Sequence, residues 1–519
     1  MSTSYAKKIA EVQSPFARAR AHSAEVEVTL SGSKMMTASH ADLEAFATKA
    51  GREWARLLIE EHLAMRAALE HVVPVVGADG VKRELVRDSE RHLETVVGTV
   101  AVPRKTYQAR GCEDRHPMDA ALNLPVELFS HGVREMVAKE IARASFEEVI
   151  ELVRDYSGAQ IAKRQVEELI VRAARDFDAF YERRGAEARA ADDLLVISTD
   201  AKGIVVRRQD LREATRLAAE QSAHKLETRL TPGEKRNRKR MAQVATVYTV
   251  APWVRTAADV VHPLRDKAVE AARPAPHNKR VWASVEKHPR RIIREAFEDA
   301  LRRDPQRRRR WVVLVDGEPK QLRAVKAEAR RLGVKVTVLV DVVHVLEYIW
   351  KAARALFGES CSEAEEWVSY RLFALLTGSS GGELARTIRW WAKKRASSLD
   401  EAARKAIANA CGYLADRTRT RLMRYAEALR DGLPIATGVV EGACRYLVKD
   451  RMDRTGARWS LAGADAVLRL RALRSSGDFD DYWSFHLACE KERNHAALYA
   501  AGAVPNPLPV AKPNLRLVK

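Results

Sequence analysis

Short apolar runs that each end in an aspartate are the feature that most constrains the fold of this chain. Asp200 follows the run Leu194–Thr199, Asp316 follows Trp311–Val315, and Asp341 follows a third run of the same kind. Runs of this length that are rich in β-branched residues predict buried strands. Segments with helical periodicity follow the second and third runs, so strands and helices alternate. This alternation predicts an α/β protein with a mixed sheet and helices on its faces.

The carboxylates that end these runs are candidate metal ligands. A carboxylate at the end of a buried strand is costly unless a cation satisfies it. Glu441 adds a carboxylate on a predicted helix, since Thr437–Gly442 predicts a helix start. Two strand-end carboxylates and one helical carboxylate can hold two divalent cations about 4 Å apart, a geometry suited to displacement at phosphorus. Taken singly, Asp200 can be a turn residue, while Asp316 and Asp341 can be helix N-caps.

The charge of the chain favours a polyanionic partner. Its 519 residues include 90 Lys and Arg against 70 Asp and Glu, a formal net charge of +20 at pH 7. Such an excess promotes binding to nucleic acid through counterion release, although a merely basic protein has the same composition. The five cysteines have no disulfide or zinc spacing, which indicates a reducing compartment. No apolar stretch reaches about 18 residues, so we expect a soluble, cytoplasmic protein with no membrane partner. If its polyanionic partner is DNA, we expect the protein to be nucleoid-associated.

The pattern along the chain predicts seven segments. They are an N-terminal helical region (1–80), a small β-rich module (81–127), a helical region (128–190), the first part of an α/β core (191–357), a mostly helical segment (358–434), C-terminal core helices (435–500) and a flexible tail (501–519). In the β-rich module, Val81–Arg87 and Leu93–Val102 predict a hairpin, which Pro103 should end. In the core, Asp200–Gly203 predicts a tight reversal between two strands.

The region 128–190 contains a candidate helix-turn-helix. Phe146–Val153 predicts one helix, Tyr156–Ala159 a turn that includes a glycine, and Gln160–Ala174 a second helix. This order matches helix-turn-helix anatomy, although an ordinary helical hairpin has the same pattern. The region is therefore a candidate DNA-binding region.

The segment after Thr437 is dense in charge. On a helix, Glu441, Arg445 and Lys449 fall on one face at successive i,i+4 steps. A solvated charged helix would show the same pattern, and His344 at a helix start can be structural. The functional interpretation is that basic and aromatic side chains around the carboxylates bind DNA. The predicted DNA contacts are His344, Arg445, Lys449, Arg454, Arg458 and Trp459.

Four motifs, in this order, resemble those of bacterial insertion-sequence transposases of the ISKra type, relatives of the Mutator-like DDE transposases. The motifs are Ser198–Gly203, Leu314–Glu318, Asp341–His344 and Gly438–Arg445, and the likeness covers about residues 90 to 500. The resemblance implies an RNase H-like fold in which Asp200, Asp316 and Glu441 are the catalytic and metal-binding residues. It also implies that 358–434 is a helical insertion and that Asp341 is an accessory residue beside the site.

The same resemblance implies a metal-dependent enzyme of DNA transposition. Such an enzyme uses two Mg²⁺ (or Mn²⁺) ions per site to cleave DNA at element ends and to transfer a strand into target DNA. Its partners would be double-stranded terminal inverted repeats, target DNA, and a second copy of the chain in a homodimer or higher oligomer. Many relatives have a cysteine pair before Pro117–Asp119, but here only Cys112 precedes it, so 81–127 is predicted to be a degenerate zinc-ribbon-like module. A catalytically inactive or domesticated DNA-binding protein, and an RNase H-like nuclease without strand transfer, are the alternatives.

Overall fold

The chain forms two compact units. The computed structural model describes residues 15–185, 193–221, 238–265, 273–359, 361–454 and 456–508, so most of the predicted tail (501–519) lies outside the described residues. Unit 1 is Met1–Glu182 together with Phe479–Lys519, and unit 2 is Arg183–Asp478. The predicted C-terminal core segment (435–500) is thus divided, because the chain from Phe479 onward belongs to unit 1. Among the described residues, no helix has the length and apolar character needed to span a bilayer.

Unit 1 begins with helices and a β-hairpin. The elements are α1 (Ala17–Ser31), α2 (Ser33–Met36), α3 (His40–Leu69), β1 (Leu85–Thr95) and β2 (Gly98–Gln108). The two strands pair antiparallel over their full lengths, so a hairpin is present, but its turn at Val96–Val97 lies inside the predicted second strand Leu93–Val102. Pro103 does not end the second strand but lies within it, opposite Glu90. A two-stranded ribbon has two free edges, where a residue without an N–H is tolerated.

Short helices follow the hairpin. They are α4 (Pro117–Leu122), α5 (His131–Ile141), α6 (Phe146–Ser157), α7 (Lys163–Ala173) and α8 (Phe177–Arg183). A capping box between Ser145 and Glu148 starts α6, and Gly158, at φ 75°, ends it in the left-handed conformation. The predicted order of helix, glycine turn and helix is confirmed, and α5 packs against both α6 and α7.

Unit 2 is built on a mixed sheet. The described strands are β3 (Leu194–Val205), β4 (Lys239–Val250), β5 (His277–Ser284), β6 (Trp311–Val315) and β7 (Val336–Val340), in the order β5-β4-β3-β6-β7. β3, β4 and β5 are antiparallel neighbours, whereas β6 and β7 run parallel to β3. The predicted α/β architecture with a mixed sheet is therefore confirmed.

Helices connect and cover these strands. They are α9 (Glu213–Glu220), α10 (Ala257–Arg265), α11 (Pro289–Arg303), α12 (Pro319–Leu332) and α13 (Val342–Phe357). α11 buries an apolar face against β3 and β4, and the ring of Phe297 lies 6.1 Å from that of Trp311. All five residues of β6 are buried, so this strand is central to the core of unit 2.

A helical segment separates the sheet from the predicted glutamate helix. It contains α14 (Ser362–Thr377), α15 (Gly381–Lys394), α16 (Glu401–Arg419) and α17 (Tyr425–Arg430). The chain then forms α18 (Gly438–Ala443), a π-helical turn (Cys444–Lys449), α19 (Asp450–Met452) and α20 (Leu461–Ser476). The last long helix, α21 (Phe479–Asn494), belongs to unit 1. The predicted helical character of 358–434 is thus confirmed for its described residues.

Candidate active site at the edge of the mixed sheet

Asp200 and Asp316 lie next to each other because β3 and β6 are parallel neighbours. Ser198 pairs with Leu314, and each aspartate comes two residues after this pair. β3 continues through Asp200 to Val205 while paired with β4, so the predicted chain reversal at Asp200–Gly203 is wrong. Both aspartates are half-buried. The sheet register therefore brings the two predicted strand carboxylates to one edge of the sheet, the edge at which the parallel pairing of β3 and β6 ends.

Neutral donors hold these two carboxylates. Asp200 Oδ1 accepts the backbone N–H of Ala201 at 2.6 Å, and its Oδ2 accepts the thiol of Cys444 at 3.2 Å. Asp316 Oδ1 accepts the backbone N–H of Glu318 at 2.8 Å. Among the described residues, neither carboxylate forms an ion pair with Lys, Arg or His. Both are therefore available to a cation, and hard oxygen donors of this kind suit Mg²⁺ and Mn²⁺.

The turn after Asp316 requires glycine. Gly317 has φ +89°, and a Cβ at this position would lie 2.6 Å from Nε of Arg417 and 3.1 Å from Val340. The hydroxyl of Tyr413, also on α16, donates to the backbone carbonyl of Asp316 at 2.9 Å. The helical segment thus supports the loop that carries the second aspartate.

Glu441 lies in the first turn of α18, which contacts β3 and β4. Cys444, three residues later, contacts Asp200, and residues three apart lie on the same side of a helix. Glu441 is exposed, and its carboxylate, like that of Asp200, lies near enough to the Cys444 thiol to act on it electrostatically. Burial, then the Asp200 carboxylate and to a smaller extent Glu441, raise the pKa of the Cys444 thiol, which is therefore a neutral donor.

The three carboxylates do not converge on a single point. Among the described residues, the group of His, Cys, Asp and Glu whose ligand atoms all lie within 4.8 Å of one another is Asp176, His486 and Glu490, in unit 1. Asp200, Asp316 and Glu441 are more widely spaced. Wider spacing is compatible with carboxylates that share two cations, as a two-metal site requires.

Two arginines contact the Asp176, His486 and Glu490 group of unit 1. Arg134 donates to Glu490 at 2.6 Å and to Nε2 of His486 at 3.1 Å, and Arg493 pairs with Asp176 and Glu490. Because the guanidinium must donate, the proton of His486 lies on Nδ1, which donates to Asp176 at 2.7 Å. This group has the geometry to hold a metal, but the two arginines already supply the positive charge that a cation would bring. We therefore interpret it as a buried ion-pair network.

Asp341 is at the same sheet edge but has a different environment. It follows β7 directly and is 6% exposed. Its Oδ1 accepts the backbone N–H of Val343 at 2.8 Å, which caps α13, and its Oδ2 accepts both the N–H and the hydroxyl of Thr437. Both oxygens are used within the fold. These bonds connect β7, α13 and the segment that leads into α18, and the accessory role of Asp341 beside the site stays a prediction.

His344 lies beside an aromatic pair that adjoins the site. Its ring is 5.8 Å from that of Tyr348 and 6.1 Å from that of Tyr413, and the two tyrosines stack at 3.9 Å. The hydroxyl of Tyr413 donates to the carbonyl of Asp316, so Tyr413 links the His344 ring to the loop that carries this candidate ligand. The imidazole is partly exposed and accessible to a ligand at this edge.

Of the other predicted DNA contacts, the four basic residues are all exposed. They are Arg445, Lys449, Arg454 and Arg458. The π-helical turn, in which the N–H of Asp450 bonds to the carbonyl of Arg445, interrupts the predicted i,i+4 ladder. Glu441, Arg445 and Lys449 nevertheless all remain exposed.

Trp459 is a correction to the predicted DNA contacts. Its side chain is buried at 4% exposure, and its Nε1 donates to the carbonyl of Met452 at 3.0 Å. Its backbone bonds to Val205 and Arg207 at the end of β3, and the guanidinium of Arg451 lies 4.8 Å from the ring centre. The indole therefore packs within unit 2 and has no surface to offer to DNA.

Three residues of the site had not been singled out from the sequence: Cys444, Tyr413 and Thr437. Cys444 carried a usable signal, since it stands one helical turn after Glu441. Tyr413 and Thr437 carried none, because their partners Asp316 and Asp341 are 97 and 96 residues away in the chain. Contacts of this range are not encoded in local periodicity.

The chain was compared with protein-family models and with curated proteins, and neither comparison gave a match. Function is therefore inferred from the residues of the site and their geometry.

Proposed function

We propose that the protein is a DDE-type DNA transposase whose catalytic residues are Asp200, Asp316 and Glu441. The observation that carries this proposal is the placement of two carboxylates on adjacent parallel strands, beside a helix that presents the third. The mixed sheet, with three antiparallel strands followed by two parallel strands, is compatible with the proposed RNase H-like core. The helical segment before α18 would be the insertion of such a core.

The donor set fits hard divalent cations. The three candidate ligands are carboxylates, and Asp200 and Asp316 have no competing ion pair among the described residues. Asp200, Asp316 and Glu441 would hold two Mg²⁺ or Mn²⁺ ions, which would supply activation of the attacking oxygen and stabilisation of the leaving oxygen. The chain itself positions the DNA: the exposed Arg445 and Lys449, close to Glu441 in sequence, can neutralise phosphates, and His344 can contact the strand near Asp316.

The proposed reaction has two phosphoryl transfers. In the first, water attacks a phosphorus at the element end, and the bond to the 3′ oxygen breaks to release a 3′-hydroxyl. In the second, this hydroxyl attacks a phosphorus of target DNA, and a new phosphodiester forms as the P–O3′ bond of the target breaks and releases a target 3′-hydroxyl. Phosphoryl transfer depends mainly on positioning and charge neutralisation, so a dedicated protein base is not required.

Unit 1 offers a candidate reader of the terminal repeats. In helix-turn-helix proteins, the first residues of the second helix contact base edges in the major groove. The first turn of α7 exposes Lys163 and Arg164, which form surface ion pairs with Glu147 and Glu168. Exposed pairs of this kind are weak and can exchange for phosphate or base contacts. Because two element ends must be joined, the active form would be a homodimer or higher oligomer.

Substitution of one carboxylate tests the proposal. Asp316→Asn keeps the shape of the side chain and removes its charge, so Mg²⁺-dependent cleavage of end-containing DNA should fall by roughly 10²–10³-fold or more, with DNA affinity retained. Asp431→Asn, which removes an exposed carboxylate paired with Arg310, is the matched control and should cleave as the wild type does.

The products of the wild-type protein separate the alternatives. Cleavage followed by joining of the 3′ end to target DNA supports the transposase. Cleavage without joining would indicate an RNase H-like nuclease, and binding without cleavage would indicate an inactive DNA-binding protein. Full cleavage by Asp316→Asn would contradict the assigned site.

A further inference from the structure

The buried contact between Asp341 and Thr437 joins the end of β7 to the segment that leads into α18. We propose that this contact, which we call the latch, holds α18 and its Glu441 in position against the sheet edge. Asp341 is then a positioning residue, distinct in role from the metal ligands and from the DNA contacts. The inference rests on the proposed function for the catalytic role of Glu441, but the latch itself is a property of the fold.

The latch uses every oxygen of the Asp341 carboxylate. Oδ2 accepts two donors of Thr437, the backbone N–H at 3.2 Å and the hydroxyl, and Oδ1 accepts the N–H of Val343 at 2.8 Å. Asp341 and Thr437 are 6% and 9% exposed. Among the described residues, no Lys, Arg or His pairs with this carboxylate. Its charge is instead satisfied by these donors and by the positive N-terminal end of α13, so the hydrogen bonds to Thr437 are charge-assisted.

The backbone around the latch ties the same elements together. The N–H of Asp341 donates to the carbonyl of Val315, the residue before Asp316, at 2.9 Å. The N–H of Val342 donates to the carbonyl of Ile435 at 2.9 Å. One residue therefore contacts the strand end that carries Asp316 through its backbone and the approach to Glu441 through its side chain.

α18 depends on such contacts because it begins the helical segment that carries Glu441. α18, the π-helical turn and α19 follow one another without a break from Gly438 to Met452, and the first helical bond, from the N–H of Glu441 to the carbonyl of Thr437, is 3.0 Å long. The N–H groups of a first helical turn have no partners within the helix, and the Thr437 side chain forms no cap bond, so this turn relies on tertiary contacts. The latch fixes the N-terminal end of α18, and the Cys444–Asp200 bond fixes the segment one turn after Glu441. If the latch is lost, the first turn of α18 can fray and Glu441 can leave the site.

Two variants break the latch in different ways. Asp341→Asn still caps α13, since Asn is a good N-cap, but an amide group in place of Oδ2 cannot accept the N–H of Thr437. Thr437→Val removes the hydroxyl at nearly constant volume. Thr437→Ser keeps the hydroxyl and is the matched control.

Amide hydrogen exchange tests the latch without reference to activity. In full-length protein, peptides that cover 436–443 should exchange at least about tenfold faster in Asp341→Asn and Thr437→Val, and at the wild-type rate in Thr437→Ser. Peptides from β3 and β6 should keep their protection. Unchanged exchange at 436–443, or an equal rise throughout unit 2, would overturn the latch.

The metal dependence of cleavage tests its consequence for Glu441. The Mg²⁺ concentration that gives half-maximal cleavage should rise by roughly 10–100-fold in the two latch variants, with unchanged DNA affinity and partial rescue at high Mg²⁺. Weaker DNA binding at an unchanged Mg²⁺ requirement would instead make Asp341 a DNA contact and overturn the inference. If wild-type protein shows no Mg²⁺-dependent cleavage, the proposed function fails, while the exchange result still decides whether the latch exists.

Discussion

At the scale of single residues, Arg134 shows how much one buried charge can matter. Its side chain is fully buried in α5, where it pairs with Glu127 and Glu490 and donates to His486. Replacement by methionine would remove one arginine partner from the buried Glu490, which keeps Arg493, and from the partly buried Glu127, which keeps Arg172. We expect Arg134→Met to lower the free energy of unfolding of unit 1 by about 3–5 kcal/mol, measured by urea titration with proteolysis as the probe.

The control for this prediction is a solvent-exposed arginine just beyond the same helix. Arg143 pairs with Glu140 but has 58% of its side chain exposed. Arg143→Met should change the stability by less than about 1 kcal/mol. If both variants behave alike, the ion-pair network contributes little. A loss of unit 1 stability on addition of EDTA to the wild type would show instead that a metal ion occupies the Asp176, His486 and Glu490 group.

Residue types predicted the site only in part. Asp200 and Asp316 were correctly brought together, because aspartates that follow apolar strands in an α/β pattern meet at one sheet edge. Asp341 fits the same pattern, yet its carboxylate is used within the fold, since one sequence does not distinguish a ligand from a cap. Trp459 was misplaced for a related reason: an aromatic residue among arginines can be a surface contact or part of a core, and its bonds to β3 decide for the core.

At the scale of elements, the turn between α6 and α7 depends on the conformational freedom of glycine. Gly158 has φ +75°, where an L residue is strained, although a Cβ there would meet no atom within 4 Å. Gly158→Ala should therefore destabilise unit 1 by about 1 kcal/mol through the backbone alone. Differential scanning calorimetry or urea titration of the full chain measures this change.

Gly51 is the matched control, since it lies in the interior of α3 in ordinary helical conformation with open space around its Cβ position. Gly51→Ala should stabilise unit 1 by roughly 0.5–1 kcal/mol, because alanine loses less backbone entropy in a helix. The two identical substitutions should thus have opposite signs. Equal signs would contradict the assigned backbone of one of the two positions.

Local pattern predicted the types of most elements but not how they continue. The order of helix, glycine turn and helix in unit 1 and the alternation of strands and helices in unit 2 followed from periodicity and from the glycine between the helices. The continuation of β3 through Asp200–Gly203 did not, because pairing with β4 overrides the turn preference of Asp and Gly. The π-helical turn after Glu441 was also missed, since nothing in Cys444–Lys449 distinguishes it from an ordinary helix.

At the scale of the whole molecule, the division into units was the least predictable feature. The sequence pattern placed α21 with the C-terminal core helices (435–500), whereas the structure places it in unit 1. The contacts that decide this are remote in sequence: Tyr482 on α21 donates to the carbonyl of Ala173, 309 residues away, at 2.5 Å. The buried ion pair of Arg134 and Glu490 likewise joins α5 to α21 across a long stretch of sequence. These long-range contacts, and not local sequence patterns, assign α21 to unit 1.

The two units should also respond differently to acid. Burial, then the charge of a neighbouring arginine, lowers the pKa of His116 and of His131 to about 4, against about 6.5 in an unfolded chain. Among the described residues, the histidines whose pKa is lowered all lie in unit 1. Between these pH values the unfolded state binds protons that the folded state does not, so stability falls as the pH falls. The contribution of each histidine is complete above pH 6.5 and is lost on approach to pH 4.

We therefore expect unit 1 to lose roughly 1–2 kcal/mol of stability per histidine between pH 7 and pH 4.5, after allowance for partial exposure of the rings. Hydrogen exchange at several pH values, corrected for the intrinsic exchange rate, reports the two units separately, with unit 2 as the internal reference. His131→Gln should reduce the pH dependence of unit 1, because the amide can still donate to the carbonyl of Asn123, as the imidazole does, without taking up a proton. Stability of unit 1 that stays constant or increases as the pH falls would show that these rings are not buried in their neutral form.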